Sequence, residues 1–208
     1  MQKAIMLCSI LFLSLISIHA QDEEYEEGGF KKQNLFTGGS LSLSFYSGGS
    51  VIGGTPIFGY RIADWIDAGV AFNYIYSGRR DYLQFNDKVR QNVYGPGVFT
   101  RLYPINFLFL QAQLEHNYTN LKYIPGNGSP NIKIRESATS FLVGGGYAQG
   151  RDKVSNTFYY VAVLFDVMKD EYSPYTEVRY DPNTGQQRLR AVPIIRAGFN
   201  IALFGNRY

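Results

Sequence analysis

Histidine is the side chain best suited to acid–base chemistry near neutral pH, and after residue 20 the chain contains a single one, His116, in the segment Glu115-His116-Asn117-Tyr118. A histidine activates a serine or threonine for nucleophilic attack only when the hydroxyl lies within hydrogen-bonding distance. The position two residues further on, which shares a strand face with His116, holds Tyr118. Because the local spacing supplies no serine or threonine, we expect His116 to be an interfacial polar residue and the protein not to be an enzyme.

Other ligand-binding patterns are weak. The run Gly144-Gly145-Gly146 lacks the lysine and the following helix of a phosphate-binding loop. No spacing of histidines and cysteines fits a metal site, since the chain has one cysteine, Cys8. The chain has 20 basic and 17 acidic residues without a basic stripe, which argues against nucleic acid as a partner. We therefore expect no metal and no cofactor.

A group of polar side chains alternates with apolar ones in several segments. The group comprises Arg61, Arg101, Gln111, Gln113, Glu115, Asp166, Arg196 and Asn200. A buried charge without a partner costs several kcal/mol, on the order of 3–5. We therefore predict that Arg196 pairs with a carboxylate or amide such as Glu115 or Gln113. The group is interpreted as a buried polar network; the alternative is a narrow path for ions or solutes.

Eight segments alternate in this way and are predicted to be strands. Their approximate bounds are 36–46, 52–62, 67–77, 92–102, 107–118, 138–148, 157–167 and 189–204. Strands in globular proteins usually have about 5–6 residues, whereas roughly 9–11 tilted residues cross a bilayer. The predicted strands are long enough to do so. The seventh is apolar on both faces, so its facing stays open.

The connections between these segments alternate in length. After the first turn they run short, long, short, long, short, long, and the long ones are 78–91, 119–137 and 168–188. Long loops at one end and short turns at the other are typical of outer-membrane barrels. We predict an all-β protein, a single antiparallel up-and-down transmembrane β-barrel of about eight strands. A soluble barrel with its apolar face inside is disfavoured, because the shared glycines, glutamines and arginines fit a crowded lumen better than a surface.

Aromatic residues are frequent, with 17 Tyr and 15 Phe, and membrane barrels carry aromatic girdles at both interfaces. We predict Trp65 and Tyr103 in the girdle of the short-turn end, which would face the periplasm. The girdle of the long-loop, extracellular end is predicted to contain Tyr46, Tyr76, Tyr94 and Tyr118.

The first 20 residues are typical of a secretory signal peptide, with Lys3 before an apolar run and Ala20 before an acidic stretch. Cys8 lies inside this segment, so the mature chain has no disulfide. Residues 21–34 are acidic, then basic, and are predicted to be a solvated periplasmic leader. The barrel is predicted to span 35–208, with both termini in the periplasm.

Two stretches carry a resemblance to a known family. The first is residues 55–61 with Asp64-Trp65, Gly69 and Tyr74, and the second is residues 196–204. With them, residues 35–208 resemble the small outer-membrane β-barrel proteins of the OmpX and OmpA-transmembrane-domain kind, often called porin-family barrels.

This resemblance implies the outer membrane of a Gram-negative cell, with outer-membrane lipid and lipopolysaccharide as surroundings. It also implies that the barrel-assembly machinery reads a C-terminal aromatic residue, either Phe204 or Tyr208. Lipid A deacylases of similar barrel size share a His-x-Ser motif, which Tyr118 interrupts here.

Three functions are compatible with such a barrel. The first is a structural role in the envelope or binding through the long loops, and the ligand is not specified by the sequence. The second is a minimal channel for small solutes, which is disfavoured because eight strands leave an interior that side chains fill. The third is an enzyme that modifies lipid A. We expect a monomer.

Overall fold

The computed structural model describes residues 30–46, 49–81, 84–152, 156–180 and 187–204. The predicted signal peptide, the leader up to residue 29 and Tyr208 lie outside these residues, and the side chain of Tyr46 is outside the described side chains. Among the described residues, no helix has the length and apolar character needed to cross a membrane.

Ten strands are present in the described part of the chain. They are β1 (Leu35–Tyr46), β2 (Gly49–Ala63), β3 (Ile66–Arg80), β4 (Lys88–Ile105), β5 (Leu108–Ile124), β6 (Ile132–Gln149), β7 (Phe158–Asp166), β8 (Thr176–Tyr180), β9 (Gln187–Ala191) and β10 (Ile194–Ala202). A single 3-10 turn, Lys32–Asn34, precedes β1.

Eight of these strands form a closed antiparallel barrel in the order β1-β10-β7-β6-β5-β4-β3-β2. Closure is made by the first and last strands, which pair from Phe36 opposite Ala202 to Leu41 opposite Ala197. The predicted all-β, eight-stranded, up-and-down fold is therefore confirmed. Where the ring is closed the sheet has no free edge, so the backbone groups there are paired within the barrel.

Side chains alternate strictly between the inside and the outside of the barrel. In β7, Tyr159 is 72% exposed and Tyr160 is 4% exposed. The facing that the sequence left open is thereby settled: Tyr159, Val161 and Phe165 lie outside. The other strands agree: their outward faces are mainly apolar, whereas the inside holds polar residues, glycines and a set of buried aromatic rings.

The long connections are shorter than predicted, because β3, β4, β5 and β6 continue past the other strands. The segments predicted as loops at 78–91 and 119–137 shrink to 81–87 and 125–131. In these extensions most residues are at least partly exposed on both faces, so the apolar–polar alternation that marks a half-buried strand disappears while the backbone stays extended.

The closing strand begins at Ile194, not Leu189 as predicted. Leu189 belongs to β9, which pairs with β8 in a separate two-stranded sheet within the last long connection. Val192 and Pro193 separate β9 from β10. Proline has no N–H to donate to a ladder, so a strand ends readily beside it.

Four aromatic side chains inside the barrel lie over a glycine directly opposite them on the neighbouring strand. The pairs are Phe36 with Gly59, Phe99 with Gly69, Phe109 with Gly146, and Tyr160 with Gly198. A Cβ at any of these glycines would collide with the facing ring. Glycine here is required by close approach, and the pairs let rings fill a narrow interior.

Replacing Gly146 with alanine is expected to destabilise the barrel by about 1–3 kcal/mol, because the new methyl group would overlap the Phe109 ring and backbone of β7. Gly54→Ala is the matched control, since the nearest atom to its Cβ would be 3.8 Å away. Urea titration of folded protein in vesicles measures both. Equal stabilities would show that the interior has room to spare.

Candidate functional site

The interior of the barrel holds all eight residues of the predicted polar network, each nearly inaccessible to solvent. They come from β2, β4, β5, β7 and β10. Alternation places them inside because their neighbours along each strand are apolar and face outward. The structure brings most of them into one connected set of hydrogen bonds and leaves Arg61 and Asp166 in separate clusters near the two ends.

Glu115 is the centre of the connected set. Its Oε1 accepts hydrogen bonds from Arg196 Nη2 at 2.8 Å and from Gln113 Nε2 at 2.7 Å. Its Oε2 accepts from the Tyr175 hydroxyl at 2.7 Å and from Asn117 Nδ2 at 3.1 Å. Four donors, one of them the cation Arg196, thus surround a carboxylate that is 1% exposed, which is the arrangement that a buried charge requires.

The predicted pairing of Arg196 is present. In addition to Glu115, its Nη1 donates to Gln113 Oε1 at 3.1 Å. Gln111 Nε2 donates to the same Gln113 oxygen at 2.7 Å, and Arg101 Nε donates to Gln111 Oε1 at 2.9 Å. A continuous chain of hydrogen bonds therefore runs along the inside of β5 and links the two arginines.

Arg101 is enclosed by aromatic rings as well as by hydrogen bonds. Its Cζ lies 4.2 Å from the ring centroid of Tyr160, 5.0 Å from Phe99 and 5.3 Å from Phe109. Its Nη1 donates to Asn200 Oδ1 at 3.3 Å. Aromatic faces stabilise a desolvated guanidinium by electrostatic attraction, so no acid is needed directly against Arg101.

Tyr175 enters the barrel from the connection after β7 and is a member of the network that the sequence analysis missed. Its hydroxyl accepts from Asn73 Nδ2 at 2.8 Å while donating to Glu115. Burial, followed by the charge of Glu115, raises the pKa of this hydroxyl, so it remains a donor. A tyrosine in a long loop carries no sequence signal for insertion into a lumen.

Asn73 and Asn117 were also missed, although both lie on the predicted inner faces. Asn73 Nδ2 donates to Asn117 Oδ1 at 3.1 Å, and Thr55 Oγ1 donates to Asn73 Oδ1 at 3.2 Å. Their strand parity was the available signal. Asn117 shares a face of β5 with the predicted Gln111, Gln113 and Glu115, and Asn73 lies on the face of β3 that also carries Gly69 and Ala71.

Asp166 anchors the start of the connection after β7. Its carboxylate accepts from Ser173 Oγ at 2.6 Å and from the backbone N–H groups of Phe141 and Met168 at 3.2 and 3.1 Å. Ser140 Oγ lies 2.9 Å from Ser173 Oγ. These bonds hold the loop so that Tyr175 points into the barrel.

The prediction that Tyr103 belongs to an outer girdle is wrong. Its side chain is buried inside the short-turn end, where the guanidinium of Arg151 lies 3.5 Å from its ring centroid. Tyr103 has the same strand parity as Arg101, so alternation directs both inward. Arg151 also pairs with Asp67 at 3.3 Å, and Arg61 Nη2 donates to the Asp152 carbonyl at 3.0 Å.

The other girdle residues lie on the outside. Trp65 is exposed at the β2–β3 turn, Tyr94 and Tyr118 are exposed near the long-loop end, and Tyr76 is half-buried. The ring centroids of Tyr94 and Tyr118 are 5.9 Å apart. Tyr74, opposite Tyr94, extends this row and was not predicted. Phe204, two residues beyond the last residue of β10, is exposed.

His116 faces outward and lies close to a hydroxyl group on the neighbouring strand, which the residue spacing within its own strand could not predict. Its Nδ1 lies 2.9 Å from Thr139 Oγ1 on the neighbouring strand β6, directly opposite it in the register. Both residues border an apolar groove of about 780 Å³ whose other walls include Pro56, Pro96 and Leu114. Among the residues that the structure describes, no group of three or more His, Cys, Asp or Glu side chains is arranged to hold a metal ion.

The chain is similar to the N-terminal β-barrel domain of OprF from Pseudomonas aeruginosa, with 15% sequence identity and a TM-score of 0.42. The similarity covers 81% of this chain and 98% of that domain. No protein-family model matches the chain, and neither does any curated protein. At this identity and TM-score, the similarity assigns neither a family nor a function.

Proposed function

We propose that the protein is an integral outer-membrane β-barrel that acts without catalysis, either as a structural element of the envelope or by presenting its loops. The observation that carries this proposal is the inverted distribution of polarity. Large apolar residues are exposed on all eight barrel strands, including Leu41, Phe58, Val98, Leu110 and Val161. Outside the extensions of β3 to β6, the charged residues of these strands are buried; they are Arg61, Asp67, Arg101, Glu115, Asp166 and Arg196. Water does not favour such a surface, but lipid does.

The outward-facing apolar surface of the barrel strands forms a band, the apolar belt, whose height supports the proposal. On β4 the outward face is apolar or aromatic from Tyr94 to Ile105, apart from Thr100. At about 3.3 Å per residue and a tilt of roughly 40°, this stretch rises roughly 28 Å along the barrel axis. The outward apolar band of membrane barrels is about 25 Å tall.

In this membrane the long-loop end would face the cell exterior. The short-turn end and both termini would face the periplasm. The β8–β9 hairpin and the extensions of β3 to β6 would then lie outside the hydrocarbon layer, where loops on a rigid scaffold make binding contacts. The surrounding outer-membrane lipid and lipopolysaccharide and the barrel-assembly machinery would be its partners, and the barrel would be monomeric.

The first test is an unboiled and a boiled sample of the outer-membrane fraction, run side by side on a detergent gel. A closed membrane barrel resists the detergent until it is heated, so the band should shift on boiling. A protein found in the periplasmic fraction, with no shift on boiling, would contradict the proposal.

Reconstituted into planar bilayers, the wild-type barrel is expected to show no stepwise conductance. The Arg101–Glu115 chain, the aromatic rings and Tyr175 fill the interior, as is usual for about eight strands. Single-channel recording at high salt is the measurement. Steady openings from protein that passes the gel assay would favour the alternative of a minimal solute channel.

A lipid-modifying enzyme is a second candidate, favoured by the contact of His116 with Thr139 beside an apolar groove. A hydroxyl and a histidine at this distance form half of a nucleophilic site. Mass spectrometry of lipid A from cells with wild-type protein or with the Thr139→Val variant decides the matter. A change in acylation that depends on Thr139 would support catalysis, and identical spectra would support the non-enzymatic proposal.

A further inference from the structure

Cationic side chains form a row on the outside of the extended strands. Arg90, Lys122 and Lys133 occupy adjacent register positions on β4, β5 and β6, since Arg90 pairs with Lys122 and Lys122 pairs with Lys133. Arg80 and Lys88, paired between β3 and β4, flank the row on one side, and Arg135 on β6 flanks it on the other. We call these six residues the cationic row.

The row lies on the same face as the exposed tyrosines. Tyr74 donates to Asn92 Oδ1 at 3.3 Å, and Asn120 Nδ2 lies 3.5 Å from the Tyr94 hydroxyl, so these four side chains share the outer face. Asn92 is two residues from Arg90 in the strand, and Asn120 is two residues from Lys122. Strand alternation therefore directs both cations outward.

Like charges directly opposite each other in a sheet are destabilising. On the outward face of the four extensions, the described positions 76–80, 88–92, 120–124 and 133–137 carry no carboxylate. Cations on an edge strand discourage edge-to-edge aggregation, which accounts for Lys133 and Arg135. It does not account for Arg90 and Lys122, whose strands are paired on both sides.

The cations also border a depression. Arg80, Lys88 and Arg90 line a cavity of about 370 Å³ together with Ser50 and Tyr76. Gly78, opposite Arg90 on β3, lies in the same wall and places no side chain beside Arg90 on that strand. The site therefore offers several donors of one charge sign, an aromatic side chain and space for an anion.

The row stands at the depth of lipid headgroups if the barrel spans a membrane. It begins four residues beyond the Tyr94–Tyr118 pair, which is roughly 10 Å along the barrel axis. Headgroups occupy about 5–8 Å on each side of the hydrocarbon. Lysine and arginine stems are flexible enough to cover the remaining distance.

We infer that the cationic row binds the phosphate groups of lipid headgroups in the leaflet at the long-loop end. The ligand class is a phosphorylated lipid, with its acyl chains against the apolar belt and its phosphates between Arg90, Lys122 and the flanking cations. This inference rests on the proposed membrane location and adds a lipid-binding site to it. It predicts preference for a lipid with more than one phosphate over a zwitterionic lipid.

The test uses folded full-length protein in zwitterionic detergent and a fluorescent, bisphosphorylated lipid A as the probe. The row variant is Arg90→Gln, Lys122→Gln and Lys133→Gln. The matched control removes three exposed cations elsewhere, Lys32→Gln, Lys169→Gln and Arg190→Gln. Each basic residue near a lipid surface contributes about fivefold to binding. We expect the row variant to bind at least about tenfold more weakly and the control to bind like wild type.

Three results would overturn the inference: equal binding by the row variant and wild type, equal losses in row variant and control, or inorganic pyrophosphate competing as well as the lipid does. In parallel, insertion of wild type into phosphatidylcholine vesicles is followed by the gel shift on boiling. Insertion without selective lipid binding would contradict this inference alone. Failure to insert would contradict the membrane proposal itself.

Discussion

Replacing Glu115 with alanine is expected to lower the free energy of unfolding by about 3–5 kcal/mol, because it leaves a buried arginine without its counter-charge. Arg196 would keep the amide oxygen of Gln113 as an acceptor but lose its counter-ion. The Tyr175 hydroxyl and the Asn117 amide would lose the same carboxylate. Urea titration of the barrel in vesicles, followed by tryptophan fluorescence of Trp65 and by the gel shift, measures the loss.

Two further variants make this prediction specific. Glu136→Ala removes a glutamate from the exposed extension of β6 and should change stability by less than about 0.5 kcal/mol. Combining Glu115→Leu with Arg196→Met removes both charges, and the loss should be smaller than that of Glu115→Ala by about 1–3 kcal/mol. Additive losses in the double variant would show that the two side chains do not stabilise each other.

Replacing Val98 with arginine is expected to impair membrane insertion and to cost about 2–4 kcal/mol, because the residue stands near the middle of the apolar belt. Its side chain faces outward between Val70 on β3 and Leu114 on β5. A soluble barrel would tolerate the same change, since an exposed arginine is well solvated in water. The yield of heat-shifting protein after refolding into phosphatidylcholine vesicles, and its urea midpoint, are the measurements.

Ile124→Arg is the control for Val98. Ile124 lies at the end of the extension of β5, opposite Lys88, and has the strand parity of the outward-facing Leu114 and Tyr118. It therefore lies on the same face as Val98 but beyond the Tyr118 level of the belt. We expect the control to insert normally. Equal behaviour of the two variants, whether both insert or both fail, would mean that depth in a bilayer does not distinguish them.

The barrel strands and their facing could be predicted because alternation of side chains is a local property. Arg196 and Glu115 were correctly directed inward by parity alone, and the need to neutralise a buried charge then named them as partners. The same parity, applied to Tyr103, would have placed it inside. The prediction of a girdle position rested on its place beside a turn, but its side chain follows the strand parity into the barrel.

What could not be predicted depends on contacts between residues far apart in the chain. Tyr175 reaches Glu115 only because Asp166 and Ser173 fix the path of the loop. His116 meets Thr139 through the β5–β6 register, which no spacing within one strand contains. The extended ends of β3 to β6 were predicted as loops because both of their faces are exposed to solvent, so apolar and polar residues do not alternate along them.

The partner of Glu115 on β10 also constrains how the chain reaches its folded state. Glu115 belongs to the fifth strand, whereas Arg196 is near the end of the chain and its strand is the one that closes the ring against β1. Loops of this length are slow to close, and non-local pairing delays folding.

Until the last strand docks, the Glu115 carboxyl group has no cation beside it, and burying a charge alone in hydrocarbon is strongly unfavourable. In the proposed membrane location, we therefore expect closure of the sheet and insertion into lipid to occur together. We expect a chain that ends before β10 to remain at the membrane surface.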